Sequence, residues 1–210
     1  MRLLALVLCL VSSDASAGAW MRARGGWFIA PSVTAGSDGI GPSLYAEYGL
    51  TGWLTLGLDA NQSVEGEEKA LTFARLPLWT GRGGHRLAME VGGGVQAGVP
   101  VVRSGLSYGQ GLRTGWGAGW LAVDASMTVN LGTGAHSAQL DAALGLSPSD
   151  RWKAILQLQA AMDATGGISV QATPSAVYRF ARSTQVELGM IQPITGGGDT
   201  RLKLGLWLEF

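Results

Sequence analysis

The sequence predicts an all-β chain: a closed antiparallel up-and-down transmembrane β-barrel of about 12 strands. Three observations predict it. Past residue 26, apolar and polar residues alternate along most of the chain, the period at which strand side chains change faces. Turn-rich clusters such as Gly132-Thr133-Gly134, Ser147-Pro148-Ser149-Asp150 and Thr195 to Asp199 interrupt the alternation. The longest apolar run, Leu3 to Val11, is far shorter than the roughly 20 residues of a spanning helix.

The breaks divide the chain into twelve runs. The first, 26–35, opens on Trp27, and the second, 42–49, closes on Tyr48. The third, 53–63, sets Leu54, Leu56, Leu58 and Ala60 against Thr55, Gly57, Asp59 and Asn61. The fourth, 71–79, puts Arg75 on the face of Leu71 and Phe73 and ends at Trp79; the fifth, 87–98, carries Glu90. The sixth, 108–117, is blurred by glycines and Trp116, so 98–108, with Pro100 and Arg103, reads as the longest extracellular connection. The seventh, 120–131, sets Leu121, Val123, Ala125, Met127 and Val129 against Asp124, Ser126, Thr128 and Asn130. The eighth, 136–146, separates Leu140 and Leu144 from Gln139 and Asp141; the ninth, 152–163, opens on Trp152. The tenth, 167–180, ends with Tyr178 and Phe180, and the eleventh, 184–193, carries Glu187. The twelfth, 200–210, is the cleanest: Leu202, Leu204, Leu206, Leu208 and Phe210 oppose Arg201, Lys203, Gly205, Trp207 and Glu209.

Ahead of these runs, residues 1–17 read as a secretory signal peptide: Met1-Arg2, the apolar stretch, and the small-residue site Ala15-Ser16-Ala17. Cleavage is expected after Ala17, with Ala19 the alternative. Residues 18–210 then form a single outer-membrane β-barrel domain. The one cysteine, Cys9, lies in the signal, so the mature chain is stabilised without disulfides. Fifteen basic and fifteen acidic residues cancel, which argues against nucleic acid as a partner.

Alternation alone fits a soluble sandwich as well as a membrane barrel. The aromatics favour the membrane. With strand one starting on the periplasmic side, Trp27, Trp53, Trp79, Trp116, Trp120, Trp152, Tyr178 and Phe180 all fall at one rim, as an interfacial girdle would. The polar face, rich in Gly, Ser, Thr, Gln and charges, suits a water-containing lumen, and closure removes the exposed edges of a two-faced sheet.

Charged residues on the polar face form a candidate lumen belt: Asp59, Arg75, Glu90, Arg113, Asp124 and Asp141, with Glu187 facing Lys203. Signs alternate between neighbouring strands from Asp59 through Asp124. Two roles are open, a constriction that sorts solutes and paired charges that fill the interior. No catalytic residue is assigned: His136 and Ser137 are adjacent on one strand and point to opposite faces, and His85 sits with Arg82 and Arg86 in a turn. No metal or cofactor is expected, because ligand spacing is missing and Glu65, Glu67 and Glu68 read as a solvated acidic loop. Gly92-Gly93-Gly94 lies mid-strand with no helix after it, unlike a phosphate-cradling loop.

The ending Lys203-x-Gly205-x-x-Leu208-x-Phe210 resembles the terminal assembly signal of bacterial outer-membrane barrels, with Leu208 where an aromatic is commoner. The whole chain, through Glu47-Tyr48-Gly49, Pro77-Leu78-Trp79 and Gly205 to Phe210, resembles small uncharacterised proteobacterial outer-membrane β-barrel proteins. The resemblance implies the cell outer membrane of a Gram-negative bacterium, recognition by the barrel assembly machinery, and contact with outer-membrane lipids and lipopolysaccharide. It brings no activity. The function expected is passive, porin-like transport of a small solute; the alternatives are a non-transporting structural or surface-interaction barrel and, third, a lipid hydrolase.

Overall fold

A two-faced strand is stable only when each face meets its own medium and each edge finds a partner. In the computed structural model, which describes residues 18–37, 39–64 and 66–210, all twelve runs form strands. They are β1 (Trp27–Gly36), β2 (Gly39–Gly49), β3 (Thr55–Gln62), β4 (Glu68–Thr80), β5 (His85–Gln96) and β6 (Val99–Thr114). There follow β7 (Gly117–Asn130), β8 (His136–Ser147), β9 (Trp152–Met162), β10 (Ile168–Ala181), β11 (Thr184–Thr195) and β12 (Arg201–Glu209). Each pairs antiparallel with its neighbours in sequence, and β12 returns to β1 to close the barrel. The signal segment 1–17 and Glu65 lie outside the described residues.

At the seam the register runs from Phe28 opposite Glu209 to Ala35 opposite Leu202. Beyond it, Trp27 and Phe210 exchange two backbone hydrogen bonds of 3.0 and 3.1 Å. The C-terminal residue is thus part of the closure.

Alternation sends the two faces to opposite sides of the wall. Leu140 is 49% and Leu204 58% exposed on the outside, whereas Leu71, Phe73, Ala88 and Val177 are buried on the inside. Leu71, Phe73 and Arg75 share the inner face of β4, so this strand lines the lumen with apolar residues as well as its arginine. A bulge at Leu78, between the pairs Pro77–Ala88 and Trp79–Leu87, inserts one extra residue. It turns Trp79 outward where strict alternation would have turned it in.

Of the expected connection 98–108, all but Gly98 is strand. β6 runs for 16 residues from Val99, with Pro100 and Arg103 inside it, and the connection to β5 shrinks to Ala97-Gly98. Both turn residues have positive φ, 48° and 77°, the two-residue hairpin geometry that matches strand twist. Pro100 stands second in the strand, close to the start, where prolines are tolerated in sheets.

Trp120 likewise departs from the expected girdle. It is only 6% exposed and projects into the lumen, where its ring lies over Gly145, the residue directly opposite on β8. A Cβ at Gly145 would come within 2.1 Å of that ring, so the glycine is the space into which the tryptophan folds. Of the other girdle positions, Trp27, Trp53, Trp79, Trp116, Trp152 and Phe180 are exposed. Tyr178 packs on Trp152 with ring centroids 4.8 Å apart.

Candidate functional site: the lumen

Inward positions on β2 to β6 bring together a chain of ion pairs. Arg75 on β4 stands between two carboxylates. One guanidinium nitrogen bonds Glu47 and the other bonds Glu90 Oε2 at 3.0 Å. Arg103 on β6 continues the line, 2.8 Å from Glu90 Oε1 and 2.8 Å from Asp59 Oδ2. Lys69 Nζ closes it at 2.9 Å from the same Asp59 oxygen. Tyr45 donates to Glu47 Oε1 at 2.6 Å and accepts from Arg75 at 3.1 Å.

An aromatic floor supports this line. Phe73 stacks on Tyr45 with centroids 5.9 Å apart, and the guanidinium carbons of Arg75 and Arg103 lie 5.1 and 5.6 Å from its ring centre, within cation–π range. Phe73 is directly opposite Gly57 on β3. A Cβ on Gly57 would come within 2.0 Å of the ring, so only a glycine lets the ring lie against the wall beneath the arginines. Burying so many charges is costly unless each keeps a partner, and fixed rings and shared carboxylates meet that condition together.

On the far side of the seam a smaller group forms. Lys203 Nζ is 3.0 Å from Glu187 Oε1, and Trp207 donates to Glu187 Oε2 at 3.1 Å. Gly205 is Glu187's cross-strand partner and leaves room for its carboxylate: a Cβ there would lie 3.1 Å from Oε2. Lys153 Nζ lies 5.9 Å from the Trp120 ring centre and 5.8 Å from that of Trp207. Leu208, by contrast, belongs to the outward face, and Phe210 to the seam.

Of the residues read from the sequence as a belt, Asp59, Arg75 and Glu90 lie in one network, and Glu187 with Lys203 in another. Asp124 and Asp141 face each other across β7 and β8, with Gln139 donating to Asp141 at 2.7 Å. Arg113 is not in the belt. It sits one pair from the β6–β7 turn, opposite Ala118, and is exposed at the rim. Because β6 starts nine residues earlier than the alternation suggests, the cation at belt depth on this strand is Arg103. The belt also holds Glu47 and Tyr45, whose parity on the second run already points them inward, and Lys69, which lies ahead of the expected fourth run because β4 starts at Glu68.

A further contributor comes from no strand. Residues 18–22 lie inside the barrel, and 23–26 run along its rim. Gly25 donates to Gly49 O at 2.7 Å, and Gly49 donates back to Gly26 O at 2.9 Å. Arg22 Nε reaches Glu47 Oε2 at 2.5 Å, and its backbone N–H donates to Thr55 Oγ1 at 3.0 Å. Trp20 packs on the cluster of Trp120, Ala122, Ile155 and Val177, its ring covering Gly109 of β6. The segment thus passes from β2 to β7, half-way round a twelve-stranded wall.

Between segment and belt lies a cavity of about 450 Å³, lined among others by Ser43, Asp124, Asp141, Gln157, Thr173 and Trp207. A second, of about 410 Å³, extends from the belt toward Asp163 and Gly196 at the opposite rim. Both are bordered by Lys69, Arg103, Ser126 and Gln139, so the two chambers meet at the Lys69–Arg103 end of the ion-pair line, the rest of which lines the first. Among the described residues no group of His, Cys, Asp and Glu is arranged to hold a metal.

No protein-family profile and no curated protein sequence matches the chain. Solved structures do. The KdgM porin matches with a TM-score of 0.70 at 9% identity, over 87% of this chain and 99% of that one. The NanC porin matches at 0.64 and 7% identity, over 87% and 98%. An outer-membrane channel from Pseudomonas putida F1 matches at 0.61 and 11%, over 94% and 99%. At such identities the likeness is one of fold: a closed twelve-stranded barrel of the porin type.

Proposed function

We propose that the protein is a Gram-negative outer-membrane channel that passes a small polar solute of low net charge by passive diffusion. The observation that carries this reading is the lumen itself: two chambers of mixed polar and apolar lining inside an apolar-walled barrel, meeting at Lys69 and Arg103 of the ion-pair line. Twelve strands enclose more than the side-chain-filled interior of eight and less than the aqueous bore of sixteen. The first chamber is of the size that binds small molecules, about 300–1,000 Å³.

The belt supports the solute class. Glu47, Asp59 and Glu90 are matched by Arg75, Arg103 and Lys69 on the strands, so the constriction presents paired charges and little net field. One neighbour was solved as a porin in complex with oligogalacturonate, a polyanion; a belt whose arginines are already bound to carboxylates offers such a ligand little. In this reading the exposed outer face meets membrane lipid and lipopolysaccharide, the aromatic rim faces the periplasm, and the C-terminal residues direct delivery to the barrel assembly machinery. A second reading, a barrel that carries nothing and serves envelope integrity, draws on the segment 18–26 lying across the bore.

Planar-bilayer recording of the refolded protein separates the two. The channel reading expects discrete current steps with weak cation-to-anion preference, and release of small neutral sugars from loaded vesicles. Recordings without steps above background, from protein shown to be folded, would retire it in favour of the second.

A further inference from the structure

Asp124 and Asp141 are set directly opposite one another, an arrangement that like charges on neighbouring strands disfavour. Each has an Oδ1 that is buried and without a hydrogen-bond partner among the described residues. Two strands from Asp141, on β10, Thr173 is 2% exposed, lines the same cavity and also has an unpartnered Oγ1. The guanidinium groups of Arg22, Arg75 and Arg103 and the amines of Lys69 and Lys203 hold other carboxylates. What does reach the pair is Gly18. It is buried and lines the chamber, and a Cβ built on it would fall 2.5 Å from Asp124 Oδ1 and 2.9 Å from Oδ2. The Gly18 nitrogen hangs from the same Cα. In a peptide bond that nitrogen offers one neutral N–H; as a free ammonium it offers three donors and a full charge.

We propose that the Asp124–Asp141 pair is a receptor for a primary ammonium group, and that its ligand is the chain's own α-ammonium at Gly18. Hydrolysis of the Ala17–Gly18 amide at the Ala15-Ser16-Ala17 site adds one water. The departing segment leaves with a carboxylate on Ala17, and Gly18 keeps the protonated amine. Processing therefore creates the cation that pins the N-terminal segment across the bore. Steric space agrees with this: Gly18 has φ +87°, and any side chain there would strike the carboxylate. Reach agrees as well, because six extended residues from Gly18 to Ala23 span about 20 Å. The ion pair forms whether or not solute passes, so the inference does not depend on the channel reading.

The test uses the full chain expressed in a Gram-negative host and the processed barrel purified from its envelope. Mass spectrometry is expected to show Gly18 as the first residue. The folded protein is then treated with an N-terminus-selective aldehyde, beside D124N. Labelling of the wild type is expected to be on the order of tenfold slower than that of D124N, the scale of one hydrogen bond between charged groups; unfolded, the two should label alike. A different first residue, or equal folded-state rates, overturns the proposal. G18A is a second route to the same answer. Its methyl group collides with Asp124, so the amine should become as reactive as in D124N while the barrel keeps its heat-modifiable gel mobility; an amine that stays protected overturns the proposal. Silent bilayer recordings from all three proteins would count against the channel reading alone and leave the labelling result intact.

Discussion

Arg75 shows what a single buried charge does here. It is held by Glu47, Glu90 and Tyr45 and lies against Phe73. Truncation leaves two buried carboxylates without their shared partner, a loss of about 3–5 kcal/mol for broken buried pairs. Arg75→Ala should therefore lower the unfolding free energy of the barrel by that amount, read by denaturant titration. If the belt also sorts ions, the same variant shifts reversal potential toward cations, because it removes one positive charge from a balanced line. Unchanged stability would show that water already fills the belt. Three of the seven charged residues in this network are legible in the sequence: parity and sign alternation identify Asp59, Arg75 and Glu90. Arg103 is hidden because Pro100 and the surrounding glycines imitate a loop. Arg22 is hidden because residues outside any strand carry no parity at all.

At the scale of an element, the β9–β10 connection is closed by two backbone hydrogen bonds between Asp163 and Gly166–Gly167 and by one side chain. Asp163 accepts hydrogen bonds from the backbone N–H groups of Thr165 and Gly167 and from the Thr165 hydroxyl. These donors hold its carboxyl below the usual aspartate range, the Thr165 hydroxyl first among them. A carboxyl whose pKa is lower in the folded chain contributes stability above its unfolded value, and that contribution is lost as pH falls through the folded one. Hydrogen exchange at the Gly167 amide should accordingly stay slow through neutral and mildly acidic pH and speed up only below the ordinary aspartate range. Asp163→Ala should lose the protection at every pH. The strands themselves are readable because a period of two survives sequence noise over ten residues. Their ends are less so: the bulge at Leu78 and the Ala97-Gly98 turn are one- and two-residue events, smaller than any periodicity can register.

For the molecule as a whole, closure depends on the meeting of two distant ends of the chain. Trp27 and Phe210 exchange a pair of backbone hydrogen bonds, each worth about 0.5–1.5 kcal/mol net. Deleting Phe210 should lower the unfolding free energy of the closed barrel by about 1–3 kcal/mol, read by denaturant titration in lipid vesicles. Delivery to the membrane is a separate readout. If the terminal residues act as an assembly signal, the yield of folded barrel in cells should fall much further than this energetic loss accounts for. Membrane character is visible from composition and rim aromatics together. The contents of the bore are not, since they depend on which strands become neighbours across the barrel rather than along it.

The connections at both rims are short, and those at the end away from the aromatics include hairpins of only a few residues, such as Ala97-Gly98. Among the described residues, no connection at that end is long enough to fold down over the mouth. Under the proposed channel reading, control of passage would fall to the segment tethered at Gly25 and Gly26, a stopper on a leash that enters from the aromatic rim.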